Sequence, residues 1–115
     1  MSEYQEAQNT YVFPDRVKGT TLPVQSFEVT INGVAPAHSL STVVCVFAKD
    51  GIVTLTPTVA ITDATNWHFT VGPVAASSMG LAEGLHVGDI ETTDSNGTVS
   101  KYCRVEINIL PSPQS

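Results

Sequence analysis

"DIETTDSNGTVSKYCRVEINIL", residues 89–110, reads as strand, turn, strand. In its second half Val99, Cys103, Val105, Ile107 and Ile109 fall at one parity. Ser100, Tyr102, Arg104, Glu106 and Asn108 fall at the other. A period of two marks a strand with one covered face. Asp94-Ser95-Asn96-Gly97 supplies the turn, because Asn-Gly tolerates the positive φ that tight turns need. Cys103 and Cys45 are the two cysteines of the chain. An immunoglobulin framework would pair two such residues around a Trp, with a Tyr two positions before the second Cys. Trp67 instead follows Cys45 only after a complete hairpin, and Lys101 stands two positions before Cys103. Both departures argue against a bridge, so both thiols are expected to be free and in the core, where unpaired Cys is common.

Upstream, strand signals continue. In "FEVTI", Phe27, Val29 and Ile31 alternate with Glu28 and Thr30, and Asn32-Gly33 offers a turn. "STVVCVFAKDGIVTLT", residues 41–56, predicts a hairpin around Asp50-Gly51. Its first run is apolar at both parities, which predicts a central strand covered on both faces or nearly so. Pro57 ends the second run or bulges it. "WHFTV" puts Trp67, Phe69 and Val71 on one face of a short strand. In "LHVGDIETT", Leu85 and Val87 share one face while Ile90 lies on the other, with Gly88 as a candidate bulge between them. Turns rich in Gly, Asn and Pro separate all these runs. The pattern predicts an all-β, immunoglobulin-like antiparallel β-sandwich of about 6–8 short strands. Residues 1–21 read as an extended N-terminal arm, 22–110 as the sandwich domain and 111–115 as a C-terminal tail.

Size and charge narrow the function. A chain of 115 residues can close one hydrophobic core. With 42% hydrophobic and 14% charged residues it is not a disordered polymer. A net charge of −6 with five basic residues provides no basic footprint, so neither nucleic acid nor an anionic membrane is an expected partner. MSEYQEAQNT lacks the basic and apolar regions of a signal peptide, which predicts synthesis in a cytoplasm and reduced thiols.

No reactive constellation emerges. His38, His68 and His86 are isolated from Cys and carboxylates at metal-ligand spacings, so no metal or cofactor is expected. His68 and His86, each between apolar neighbours in a strand, should point away from those neighbours as solvated or hydrogen-bonded histidines. Asp89 and Glu91 share a strand face, as paired hydrolase carboxylates could, yet no partner motif marks a cleft. Asp94-Ser95-Asn96-Gly97 lacks the later Glu of a calcium loop, and turn chemistry explains it. No G-x-S-x-G or phosphate-binding glycine motif occurs, so an enzyme is not expected. The candidate interface residues are Tyr11, Phe13, Arg16, Trp67 and Tyr102. Tyr11 and Phe13 lie outside the strand pattern, where they could anchor the arm to this domain or to a neighbour.

The order of these signals resembles a family of immunoglobulin-like phage structural domains, similar to the N-terminal domain of the phage baseplate upper protein. The resemblance covers about residues 18–110. It is carried by Gly19, Asn32-Gly33, the hairpin at Thr42–Thr56, the Gly84…Asp89-Ile90 motif and the Asn96-Gly97 turn. His86 stands where the family usually has an aromatic residue, and Gly88 where a bulky one is common. The resemblance implies a non-enzymatic structural protein of a tailed-phage virion, made in the host bacterial cytoplasm. It would act as a tail or baseplate adaptor or as capsid-surface decoration. The implied partners are other virion proteins, with the chain itself in a homo-oligomer or symmetric array. The alternative is a carbohydrate-binding, adhesin-like module that uses Trp67 and Tyr102 as stacking platforms.

Overall fold

The computed structural model describes residues 10–30 and 33–112. Ile31 of the first predicted strand, Asn32 of the turn after it, the first nine residues of the arm and the last three of the tail lie outside the described residues. Nine strands are present among those described: β1 Thr10–Val12, β2 Arg16–Val17, β3 Gln25–Glu28, β4 Leu40–Lys49, β5 Ile52–Leu55, β6 Val59–Asp63, β7 His68–Val71, β8 Gly84–Asp94 and β9 Val99–Leu110. They form two sheets. One runs β1-β9-β8-β4-β5, with β2 also on β9, and the other runs β3-β7-β6. The second sheet has the B-E-D order of immunoglobulin-like domains, and β9-β8-β4-β5 has the G-F-C-C′ order. The chain is an all-β sandwich of this kind. The count exceeds the six to eight expected because β1 and β2, three and two residues long, carry no period that a sequence could reveal. They also depart from the antiparallel rule, since both run parallel to β9.

Of the segment read as an arm, residues 10–17 are therefore laid along the domain's last strand. Phe13 from this segment is fully buried between the sheets. Its ring meets Phe47 of β4 edge-on at 5.2 Å, and Tyr11 meets Phe27 of β3 at 4.8 Å. Phe27 stacks on Phe69 of β7 at 5.2 Å. One aromatic cluster thus ties β1 to both sheets.

The β4–β5 turn is the predicted tight hairpin: Asp50 and Gly51 both have positive φ, 54° and 79°. After β5, Pro57 marks the crossover to the second sheet, where β6 begins at Val59. The β8–β9 turn is organised by Asp94. Its Oδ1 accepts the backbone N–H groups of Asn96 and Thr98, each at 2.9 Å. The carboxylate that could have suggested calcium is spent on this turn.

Three local expectations need correction. First, Trp67 does not start β7. It sits just before the strand with φ 56°, a left-handed conformation that costs about 1–2 kcal/mol for a residue with a Cβ. Burial and an indole Nε1 hydrogen bond to the His38 carbonyl at 2.7 Å hold it there. Second, no bulge occurs at Gly88, where β8 stays in register with both neighbours. A Cβ there would lie 1.6 Å from the Val46 carbonyl oxygen, so glycine is required by the close approach of β4. Third, the alternation of β9 is interrupted. Ile90 pairs with Cys103 but Glu91 pairs with Lys101, leaving Tyr102 as an extra residue. The slip reverses parity beyond it, so Ser100 is buried and Val99 is 57% exposed.

Candidate interaction surface

The two cysteines sit in one sheet. Cys45 on β4 and Cys103 on β9 both pair with Ile90, which lies between them on β8. Two interstrand spacings separate their backbones by about 9.6 Å, beyond the roughly 7 Å that a disulfide can span. Both thiols are free and buried. Desolvation, with smaller contributions from Cys103 and Asp89, pushes the Cys45 thiol up to about 12. Desolvation, then Asp89, pushes Cys103 up to about 11. Neither is a thiolate nucleophile near neutral pH.

The histidines divide. His68 on β7 lies at the surface and contacts the Glu28 carboxylate across the strands at 3.0 Å. His86 faces the core and is fully buried, while its neighbour Leu85 is 50% exposed. His86 Nε2 lies 2.6 Å from the Ala82 carbonyl and Nδ1 2.8 Å from the Thr54 hydroxyl. The carbonyl can only accept, so Nε2 carries a proton. Thr54 is available because the β4–β5 pairing skips it: Phe47 pairs with Leu55 and Ala48 with Val53. Two bulges thereby re-aim two side chains, Thr54 toward His86 and Tyr102 toward the other sheet. Tyr102 donates its hydroxyl to the Glu28 carbonyl at 3.2 Å, and burial raises its phenol above the ordinary range. Among the described residues no three His, Cys, Asp or Glu side chains gather as metal ligands. Among them, too, no helix is long and apolar enough to cross a membrane.

The five residues expected at an interface are placed as follows. Phe13 and Trp67 are buried in the core. Tyr11 is half-buried, and its hydroxyl donates to Gln25 Oε1 at 2.6 Å. Tyr102 is half-buried at the junction of the sheets. Arg16 is half-buried, with its Nε enclosed and without a hydrogen-bond partner. The structure joins Tyr11 and Phe13 in the aromatic cluster, and Tyr102 touches that cluster through Phe69 at 6.2 Å. Trp67 sits instead under the His38 carbonyl, and Arg16 beside the far end of β9.

A different surface is open: the outer face of the β1-β9-β8-β4-β5 sheet. Because Val43, Cys45 and Phe47 point inward, Val44, Val46 and Ala48 of β4 point outward. One row across the sheet reads Val12, Glu106, Val87, Ala48, Val53. The next reads Thr10, Arg104, Asp89, Val46, and the third Lys101, Glu91, Val44. Leu85, two residues before Val87 on β8, shares this face. Val12 is 62% exposed, Val53 61% and Val44 41%. The β4–β5 half of the face is thus apolar. The β8–β9 half is charged, with Lys101 on Asp89 at 3.0 Å and Arg104 on Glu106 at 3.2 Å. The hydrogen bond to Asp89 holds the Lys101 ammonium above the usual lysine range. The signal for this face was present in the sequence. The run at 42–47 is apolar at both parities, and the described residues cover only one of its two faces.

No family model matches the chain, and none of the curated proteins matches it. Among solved structures, it is similar to CopC from Methylosinus trichosporium OB3b at 10% identity, over 84% of each chain, with a TM-score of 0.49.

Proposed function

We propose that this chain is a non-enzymatic docking module of a tailed-phage virion, an immunoglobulin-like domain that binds other virion proteins. The outer face of its larger sheet is the binding surface. A single observation carries this reading: β4 is apolar on both faces, and on the outer one Val44 is exposed while Val46 and Ala48 are half-buried. An antiparallel sheet that meets only water alternates apolar-in with polar-out. An apolar strip beside ion pairs is the composition of a protein interface, with a dry centre and a polar rim. The resemblance of residues 18–110 to phage structural domains supplies the setting. The carbohydrate reading is disfavoured, because Trp67 lies in the core and offers no stacking platform.

Particles assembled with the natural chain, or with a Val44→Lys/Leu85→Lys variant in its place, test the reading by mass spectrometry. The natural chain should be a component of purified particles. The variant should be depleted from them while its far-ultraviolet circular dichroism is unchanged. Absence of the natural chain from particles sinks the virion setting, and undiminished incorporation of the folded variant sinks the docking face.

A further inference from the structure

The β1–β2 segment is a plug separable from the body it fills. Its backbone pairs with β9 alone: Thr10 with Arg104, Val12 with Glu106, Arg16 with Ile109 and Val17 with Leu110. Phe13 N–H donates to the Glu106 carbonyl at 2.8 Å and Lys18 N–H to the Leu110 carbonyl at 2.9 Å. Its side chains enter a socket built from Phe27, Phe47 and Gln25, all downstream of the turn at residues 18–21. Without this segment, β9 would present an unpaired edge beside the cavity that Phe13 fills, and such an edge accepts another strand.

We propose that residues 10–17 are an exchangeable strand, and that the β9 edge with its aromatic socket accepts the same segment from a second copy of the chain. The second copy is the occupant that reproduces every contact just described, because socket and plug are identical in both. Closed and exchanged forms then differ only in the connecting turn, the condition for low-cost domain swapping. The closed turn leaves one buried polar atom unsatisfied. Arg16, which enters the turn, has its Nε buried without a hydrogen-bond partner and reaches Thr20 Oγ1 only at 3.4 Å. Opposing exchange are three hydrogen bonds: the Thr20 N–H and hydroxyl to the Val17 carbonyl, and the Gly19 N–H to the Met79 carbonyl. Straightening the turn breaks these and frees the Arg16 guanidinium to water. The exchange uses the β9 edge, so it stands independently of the docking face.

Full-length chain carrying Val12→Cys and Glu106→Cys reads the connection directly. These positions are partners in the parallel register, and Val12 is largely exposed. After equilibration at rising protein concentration and oxidation, peptide mapping should find the 12–106 disulfide in covalent dimers, in a fraction that grows with concentration. Thr10→Cys/Arg104→Cys, the next registered pair, reads the same connection if the first variant does not fold. A 12–106 (or 10–104) disulfide found only within monomers at every concentration overturns exchange. Dimers bridged only between the two copies' position 12 (or between their position 10) overturn it as well.

Discussion

The two sheets turn different faces outward. The three-stranded sheet shows Ser26, Glu28, Ala60, His68 and Thr70 to solvent. An open depression of about 350 Å³ there is lined by Glu28, His68 and three hydroxyl residues, Ser26, Thr62 and Thr70. That is what an antiparallel sheet facing water looks like. The larger sheet shows valines and paired charges instead. Both sheets share one core, so burial needs on the inside cannot explain the difference. The proposed contact accounts for the difference, and for that reason it is placed on the larger sheet.

The largest expected effect separates the two faces. Val44→Lys/Leu85→Lys should lower incorporation into particles by more than about tenfold, since an unpaired charge in a dry contact costs well over about 1.4 kcal/mol. Ser26→Lys/Thr70→Lys on the smaller sheet should leave incorporation within about twofold. Equal losses from both would break the comparison.

Next comes Gly88→Ala. Its Cβ would overlap the Val46 carbonyl, forcing β4 and β8 apart beneath the outer face of the larger sheet. A loss near the upper end for overpacking, about 3 kcal/mol, lowers the melting temperature by roughly 10–20 °C. A melting temperature unchanged within error would show that the strands separate freely.

The histidines sharpen the contrast on a smaller scale. His86→Phe keeps a flat ring, somewhat larger than imidazole, but leaves the Ala82 carbonyl and the Thr54 hydroxyl without their partner. Chemical denaturation should register a loss of about 1–3 kcal/mol. His68→Phe, at the solvent face of the smaller sheet, should fall within about 0.5 kcal/mol of the natural chain. Similar costs for the two would mean that His86 is not enclosed as described.

The thiols of the larger sheet have the mildest effect near neutral pH and show themselves only in alkali. Folding raises both, so the protonated forms favour the folded state. That stability is fully present below about pH 9, the ordinary thiol value, and is lost as pH rises toward about 11 and about 12. Thermal melts should therefore decline across that window more steeply than in a Cys45→Ala/Cys103→Ala variant. At about pH 8 neither thiol should react with a disulfide reagent until denaturant is added.

Much of this architecture was legible in the sequence. The sandwich class, the Asp50-Gly51 hairpin, the turn at Asn96-Gly97 and the inward run Cys103 to Ile109 all follow from period and turn chemistry. What escaped has specific causes. Val99 and Ser100 exchanged faces because a bulge at Tyr102 shifts parity, and its one sign in the sequence is Lys101, a charge at the parity of Val99 and Cys103. His86 does point away from Leu85 and Val87, but its burial escaped because one of its hydrogen-bond partners, Thr54, is offered by a bulge in a remote strand. The placement of Phe13 and Trp67 was open because large aromatics serve cores and interfaces equally well. β1 and β2 were invisible because so few residues hold no period. Their order comes from β9, near the other end of the chain.

That last pairing has a consequence for how the molecule is made. Residue 12 leaves the ribosome long before residue 106, by roughly 5–20 s at ordinary rates of synthesis. Throughout that interval Tyr11 and Phe13 have no β9 to lie against, and the aromatic cluster lacks its cap. Contacts between residues so far apart form late and slow the final step. Nascent chains crowded on one message would therefore hold waiting plugs beside newly finished sockets, and whether a plug closes its own domain becomes a race between its short tether and its neighbours.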